Sequence, residues 1–142
     1  MHHFIVNASI ARVAEFHSHA SSMSAITPPP IVTKINQAPN RLKEGDCMDF
    51  TMWLGPLPVR WLAKIEEVTL NGFTDGLIRG PFSEWTHRHI FQRVDDQTTE
   101  VLDQITMHLR PHWFWGPVGL SMVLGLPFLF AYRAWKTKKI LE

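Results

Sequence analysis

The chain has a single cysteine, Cys47, which excludes an internal disulfide and a four-thiolate zinc site and fits a reducing compartment. An excess of one charge sign is also missing. Fourteen basic residues against thirteen acidic ones leave a net charge of +1, so no global field draws in nucleic acid and no nucleic-acid partner is expected. There is no Gly-rich phosphate loop, no G-x-S-x-G elbow and no zinc-finger spacing, and no cofactor is expected. The opening Met1-His2-His3-Phe4 lacks a basic start followed by an apolar run, so no signal peptide is read there. The expected location is cytoplasmic, with attachment at the inner membrane face, peripheral or anchored, as the alternative.

What is present is bulk. Ten prolines, six tryptophans and nine phenylalanines imply many turns and a bulky interior with room for a hollow. The length suits one domain, 1–142, able to bury a core without staples. A short strand over 3–8 precedes Ser9, which stands at a helix N-cap before the apolar face of Ile10, Val13, Ala14 and Phe16 or His17. A second helical turn over 22–26 ends at Pro28-Pro29-Pro30, where helix is forbidden. Residues 31–37 then alternate as a strand.

From Cys47 the pattern is a meander. Met48, Phe50, Met52 and Leu54 share one face of a strand. Val59, Trp61, Ala63 and Ile65 share a face of the next, with Arg60, Lys64 and Glu66 on the wet side. Asn71-Gly72 signals a tight turn. Phe73, Asp75 and Leu77 follow on one face, and 83–93 and 98–109 form the last pair of strands. Six or seven antiparallel strands with helices segregated from them give an α+β fold.

Residues 113–132 carry no formal charge, after which the chain turns basic at Arg133, Lys136, Lys138 and Lys139. A run of that length can span a bilayer, the basic cluster then marking the cytoplasmic side. It can equally be one long helix, about 117–140, covered by the strands, and this is the expectation. Pro127 should kink or restart the helix, and Gly119 and Gly125 weaken it. Trp113-Phe114-Trp115 reads as packing, as a lid or as an interfacial anchor.

Several ordered segments resemble one family. Phe73-Thr74-Asp75, Arg79-Gly80-Pro81-Phe82 and Trp85-Thr86-His87-Arg88-His89-Ile90-Phe91 are similar to F-x-D, G-P-F/Y and W-x-H-x-H-x-F segments of a bacterial cyclase/dehydrase-like branch of the SRPBCC superfamily. Phe16-His17 with Thr27-Pro28-Pro29, Leu57-Pro58-Val59-Arg60-Trp61, the strand around Asp103, and Phe130-Ala131-Tyr132-Arg133 extend the resemblance over nearly the whole chain. It implies the START-like helix-grip fold: a curved antiparallel sheet around a long C-terminal helix, two short helices after the first strand, and a ligand cavity between sheet and helix. In one respect the chain departs from that pattern, because 118–131 offers no charge for the helix's outer face. A second copy, another partner or lipid is expected to cover it, with membrane contact through 113–132 or a homodimer as the forms considered.

On a strand, residues two apart share a face, so Trp85, His87, His89 and Phe91 point together, as do Asp103 and Ile105 on the next strand. Imidazoles and carboxylates projecting into an apolar space need one another. His87, His89, Asp75 and Asp103 are therefore the candidate acid/base set, or a network that only satisfies itself. His17-x-His19 and His87-x-His89 each space two nitrogens for one ion, but no further ligand is evident and no metal is expected. Trp61, Phe73, Phe50 and Met52, with Leu124, Phe128 and Tyr132 from the closing helix, complete the expected cavity lining. The expected partner is a small hydrophobic ligand: lipid-like, quinone-like or aromatic polyketide-like. The alternatives are a cyclase- or dehydratase-type enzyme working through a His/Asp pair, and a ligand-binding domain anchored by its tail.

Overall fold

The computed structural model describes residues 1–142. Seven strands are present: β1 (His2–Val6), β2 (Val32–Gln37), β3 (Cys47–Leu54), β4 (Leu57–Thr69), β5 (Gly72–Arg79), β6 (Phe82–Asp95) and β7 (Thr98–Leu109). Four helices accompany them: α1 (Ile10–Ser18), α2 (Ala20–Ala25), α3 (Trp115–Leu124) and α4 (Leu126–Leu141). The strands form one antiparallel sheet in the order β1-β7-β6-β5-β4-β3-β2.

Short connections dictate that order. Only Gly55-Pro56, Leu70-Asn71, Gly80-Pro81 and Asp96-Gln97 separate the strands from β3 to β7, so each must fold back on the one before. β1 instead joins the far side of β7, with His2 opposite Asp103 and Val6 opposite Thr99. The helices α1 and α2 thus carry the chain from one edge of the sheet to the other. The Ser9 side chain accepts a hydrogen bond from the Arg12 N–H at 3.3 Å, the cap expected from sequence. Gly72 has φ +132°, and a Cβ there would lie 1.9 Å from the His89 carbonyl oxygen, so the turn into β5 requires glycine.

The expected helix over about 117–140 is two helices. It breaks at Gly125 and bends by 49° between α3 and α4. Pro127 sits in the first turn of α4, where its missing N–H costs nothing, whereas inside a continuous helix it would remove a backbone hydrogen bond. Gly119 does more than weaken α3. It faces Phe82 and Leu109, and a Cβ there would come within 3.1 Å of both side chains, so its small size lets the helix lie close on the sheet.

Burial follows the two-residue alternation. Met48, Phe50, Val59, Trp61, Ala63, Ile65, Trp85, Phe91 and Val101 all turn to one side of the sheet and are buried. They collect in two groups. One is built around Phe50, Trp61, Phe82 and Trp85, and the other around Val6, Val13, Phe91, Val101 and Leu141. Along β6, Trp85 belongs to the first group and Phe91 to the second. His87 and His89 fall between them, where the two apolar groups leave a gap.

Candidate functional site

Register sets the polar cluster. Asp75 on β5 lies opposite His87, and Asp103 on β7 lies opposite His89. Each imidazole nevertheless reaches diagonally. His87 Nε2 is 2.9 Å from Asp103 Oδ1, and His89 Nε2 is 2.8 Å from Asp75 Oδ2. The remaining nitrogens make looser contacts, His89 Nδ1 with Asp103 at 3.3 Å and His87 Nδ1 with Asp75 at 3.8 Å. The two rings stack with centroids 3.8 Å apart. His17 of α1 reaches in from the side, its ring 6.2 Å from that of His89. Arg133 of α4 completes the group.

Charge assignment follows from these contacts. Burial works against a charged His89, but hydrogen bonds to Asp103 and Asp75 outweigh it and raise its pKa to about 9. For His87, burial and then the positive charge of His89 prevail over the Asp103 hydrogen bond, and the pKa is lowered. His17 is pushed down to about 4 by burial and by His89. Burial would raise both carboxyl groups. The hydrogen bond from His89 holds Asp75 below the ordinary carboxylate range, and those from His87 and His89 hold Asp103 well below it. At neutral pH the cluster therefore carries two carboxylates, one imidazolium and one guanidinium, and is balanced.

Proton positions follow as well. His17 Nδ1 lies 2.9 Å from the Val13 carbonyl oxygen and must donate to it, leaving Nε2 as an acceptor. Neutral His87 donates from Nε2 to Asp103, leaving a bare Nδ1 beside Asp75. Arg133 is different. Burial lowers its pKa against the pull of Asp103 and Asp75, and its Nε is enclosed with no hydrogen-bond partner.

Beside this cluster lies a cavity of about 400 Å³, and twenty of its thirty-one lining residues are hydrophobic. That is the size range of sites for small organic ligands. His17, Asp75, His87, His89 and Arg133 all line it, while Asp103 lies behind the imidazoles. Asp75, His87 and His89 offer donor atoms within 4.8 Å of one another. The Nε2 atoms of His87 and His89 are engaged by Asp103 and Asp75 respectively.

No family model matches the sequence, and no curated protein matches it. Solved structures do. The ZhuI aromatase/cyclase from Streptomyces sp. R1128 superposes with a TM-score of 0.76 at 10% identity, over 99% of this chain and 90% of that one. Norcoclaurine synthase from Thalictrum flavum, solved with dopamine and hydroxybenzaldehyde, gives a TM-score of 0.70 at 15% identity, over 98% of this chain and 83% of that one. Ara h 8.0201 gives 0.59 at 11% identity, over 96% of this chain and 97% of that one. The chain shares the helix-grip fold of these structures.

Phe50, Met52, Trp61, Phe73, Trp85 and Phe128 line the cavity. Four residues expected at the ligand lie elsewhere, Asp103 behind the imidazoles and three others away from the cavity. Phe91 is fully buried in the second apolar group, because the cavity ends at His89 along β6. Leu124 precedes the bend at Gly125 and points to solvent. Tyr132 packs against Trp135, with rings 5.6 Å apart, on the flank of α4 away from the cavity. Sequence reading also missed two residues. His17 and Arg133 both fall in segments of the resemblance, but the sequence reading gives neither a place at the site. The signal for Arg133 was its place in the series Phe130, Arg133, Thr137, Leu141, the helical spacing of the inward face, where the other three residues are buried.

Proposed function

We propose that the protein binds a small amphiphilic molecule, its apolar body against the Phe50, Trp61 and Trp85 wall and an oxygen-bearing head at Arg133. The observation that carries this reading is the half-buried Arg133 at the lining of a largely apolar cavity, with an Nε that no protein acceptor meets. A buried donor without an acceptor is costly, and a ligand carboxylate, phenolate or polarised carbonyl supplies one. Burying about 250 Å² of apolar ligand surface contributes roughly 6 kcal/mol before the cost of immobilising the ligand.

The test is a matched pair, a medium-chain carboxylic acid and the alcohol of the same chain, titrated by tryptophan fluorescence. The acid is expected to bind at least tenfold more tightly, and Arg133→Met to erase the difference while retaining the alcohol. Failure of both compounds to bind, with no apolar molecule co-purifying from the native host, would sink the reading.

A second reading rests on His87. Its Nε2–H is held by Asp103, its bare Nδ1 lies 3.8 Å from Asp75, and the neutral ring lines the cavity. That is the arrangement of a general base, suited to removing a proton next to a carbonyl in a cyclisation or dehydration. Under it, His87→Gln retains ligand affinity and loses turnover. Loss of affinity in parallel with turnover would leave His87 as a binding residue only.

A further inference from the structure

The outer side of α3 and α4 is covered by nothing in the chain. Trp113, Leu124 and Phe128 are 84%, 74% and 66% exposed, and Leu120 and Trp135 are also exposed. The spacing makes this one surface, with Pro117, Leu120 and Leu124 on α3 continued by Phe128, Ala131 and Trp135 on α4.

Three further observations say what fits it. First, residues 104–141 hold no acidic side chain, while Arg110, Arg133, Lys136, Lys138 and Lys139 are basic. Lys138 and Lys139 are exposed at the end of the apolar stripe, and Lys139 Nζ lies 4.9 Å from the centre of the Trp135 ring. A tryptophan and lysines bordering an apolar stripe match the boundary between acyl chains and anionic headgroups. The nearest acidic side chain along α4, Glu142, accepts a hydrogen bond from the Asn7 N–H, and the apolar stripe itself holds no carboxylate for the lysines of a second copy. Second, neither helix is long and apolar enough by itself to cross a membrane, and only the pair together, across its 49° bend, has the length and composition. Their inner faces, at Gly119, Phe130, Thr137 and Leu141, are buried against the rest of the chain, so contact along a surface fits better than insertion. Third, Gly125 and Phe128 are exposed on this face and also line the cavity. The cavity edge and the apolar stripe are continuous there.

We propose that the outer face of α3 and α4 docks on an anionic lipid surface and sets the edge of the cavity against it. An apolar ligand would then pass between bilayer and cavity at the Gly125 bend without crossing bulk water. The docking stands independently of what the cavity holds.

Flotation of the full chain with phosphatidylcholine vesicles, with and without phosphatidylglycerol, tests it. Binding is expected only to the anionic vesicles and is expected to weaken in high salt. Replacing Lys136, Lys138 and Lys139 together by Gln should weaken it roughly a hundredfold, at about a factor of five per lysine. The pair Leu120→Glu and Leu124→Glu, both at exposed positions, should abolish it while the circular dichroism spectrum and melting temperature hold. Equal binding to neutral and anionic vesicles would overturn the assignment. So would no binding to either, including the case in which sedimentation shows a dimer that Leu124→Glu separates.

Discussion

The proton shared by His89, Asp75 and Asp103 makes the stability of the fold depend on pH in a direction that can be worked out. His89 titrates near 6.5 in an unfolded chain and at about 9 when folded. Between those values the folded protein keeps a proton that the unfolded chain has released. The stabilisation is complete below pH 6.5 and is lost as pH rises through 9. A shift of that size is worth about 3 kcal/mol, with a slope approaching 1.4 kcal/mol per pH unit near pH 8. This is a large share of the margin of a small domain. Urea unfolding followed by tryptophan fluorescence from pH 6.5 to 9.5 reads it directly. His89→Gln should be less stable at pH 6.5, because Asp75 and Asp103 lose the cation they face, and it should flatten the alkaline limb. A wild-type curve flat from pH 7 to 9.5, or a His89 ring resonance titrating near 6.5, would refute the charge assignment.

His17 should act with the opposite sign. Its pKa of about 4 means that the unfolded chain binds the proton first, so stability falls as pH drops from 6.5 towards 4, and His17→Phe should make that acid limb shallower by up to about 3 kcal/mol in the same assay. Gly72→Ala should destabilise by more than about 3 kcal/mol, since its Cβ would meet the His89 carbonyl at 1.9 Å and its φ is unfavourable for alanine. A melting temperature within a few degrees of wild type would show that the turn relaxes around the methyl group.

Much of the fold was written in local pattern. The two-residue alternation of Met48 to Leu54 and Val59 to Ile65, the Asn71-Gly72 turn and the Ser9 cap each act over a few residues, so they could be read without the rest of the chain. The shared face of His87 and His89 was legible for the same reason. The diagonal pairing of these residues with Asp103 and Asp75 was not, because register and side-chain rotamer decide which carboxylate each ring meets. The closing segment shows the other limit. An uncharged run with Pro127 inside it announced a helix with an interruption, but which residues faced inward depended on where α4 docked. That is why Leu124 and Tyr132 lie off the cavity while Arg133 lines it.

By itself the sequence determined the order of strands and helices, the apolar faces and the set of titratable residues available to a site, because these depend on neighbours along the chain. Only the tertiary structure decided that β1 closes onto β7, that α4 turns Arg133 inward, and that one histidine is charged while two beside it are neutral. Those outcomes depend on burial and on distances between residues far apart in the chain, and no local pattern encodes them.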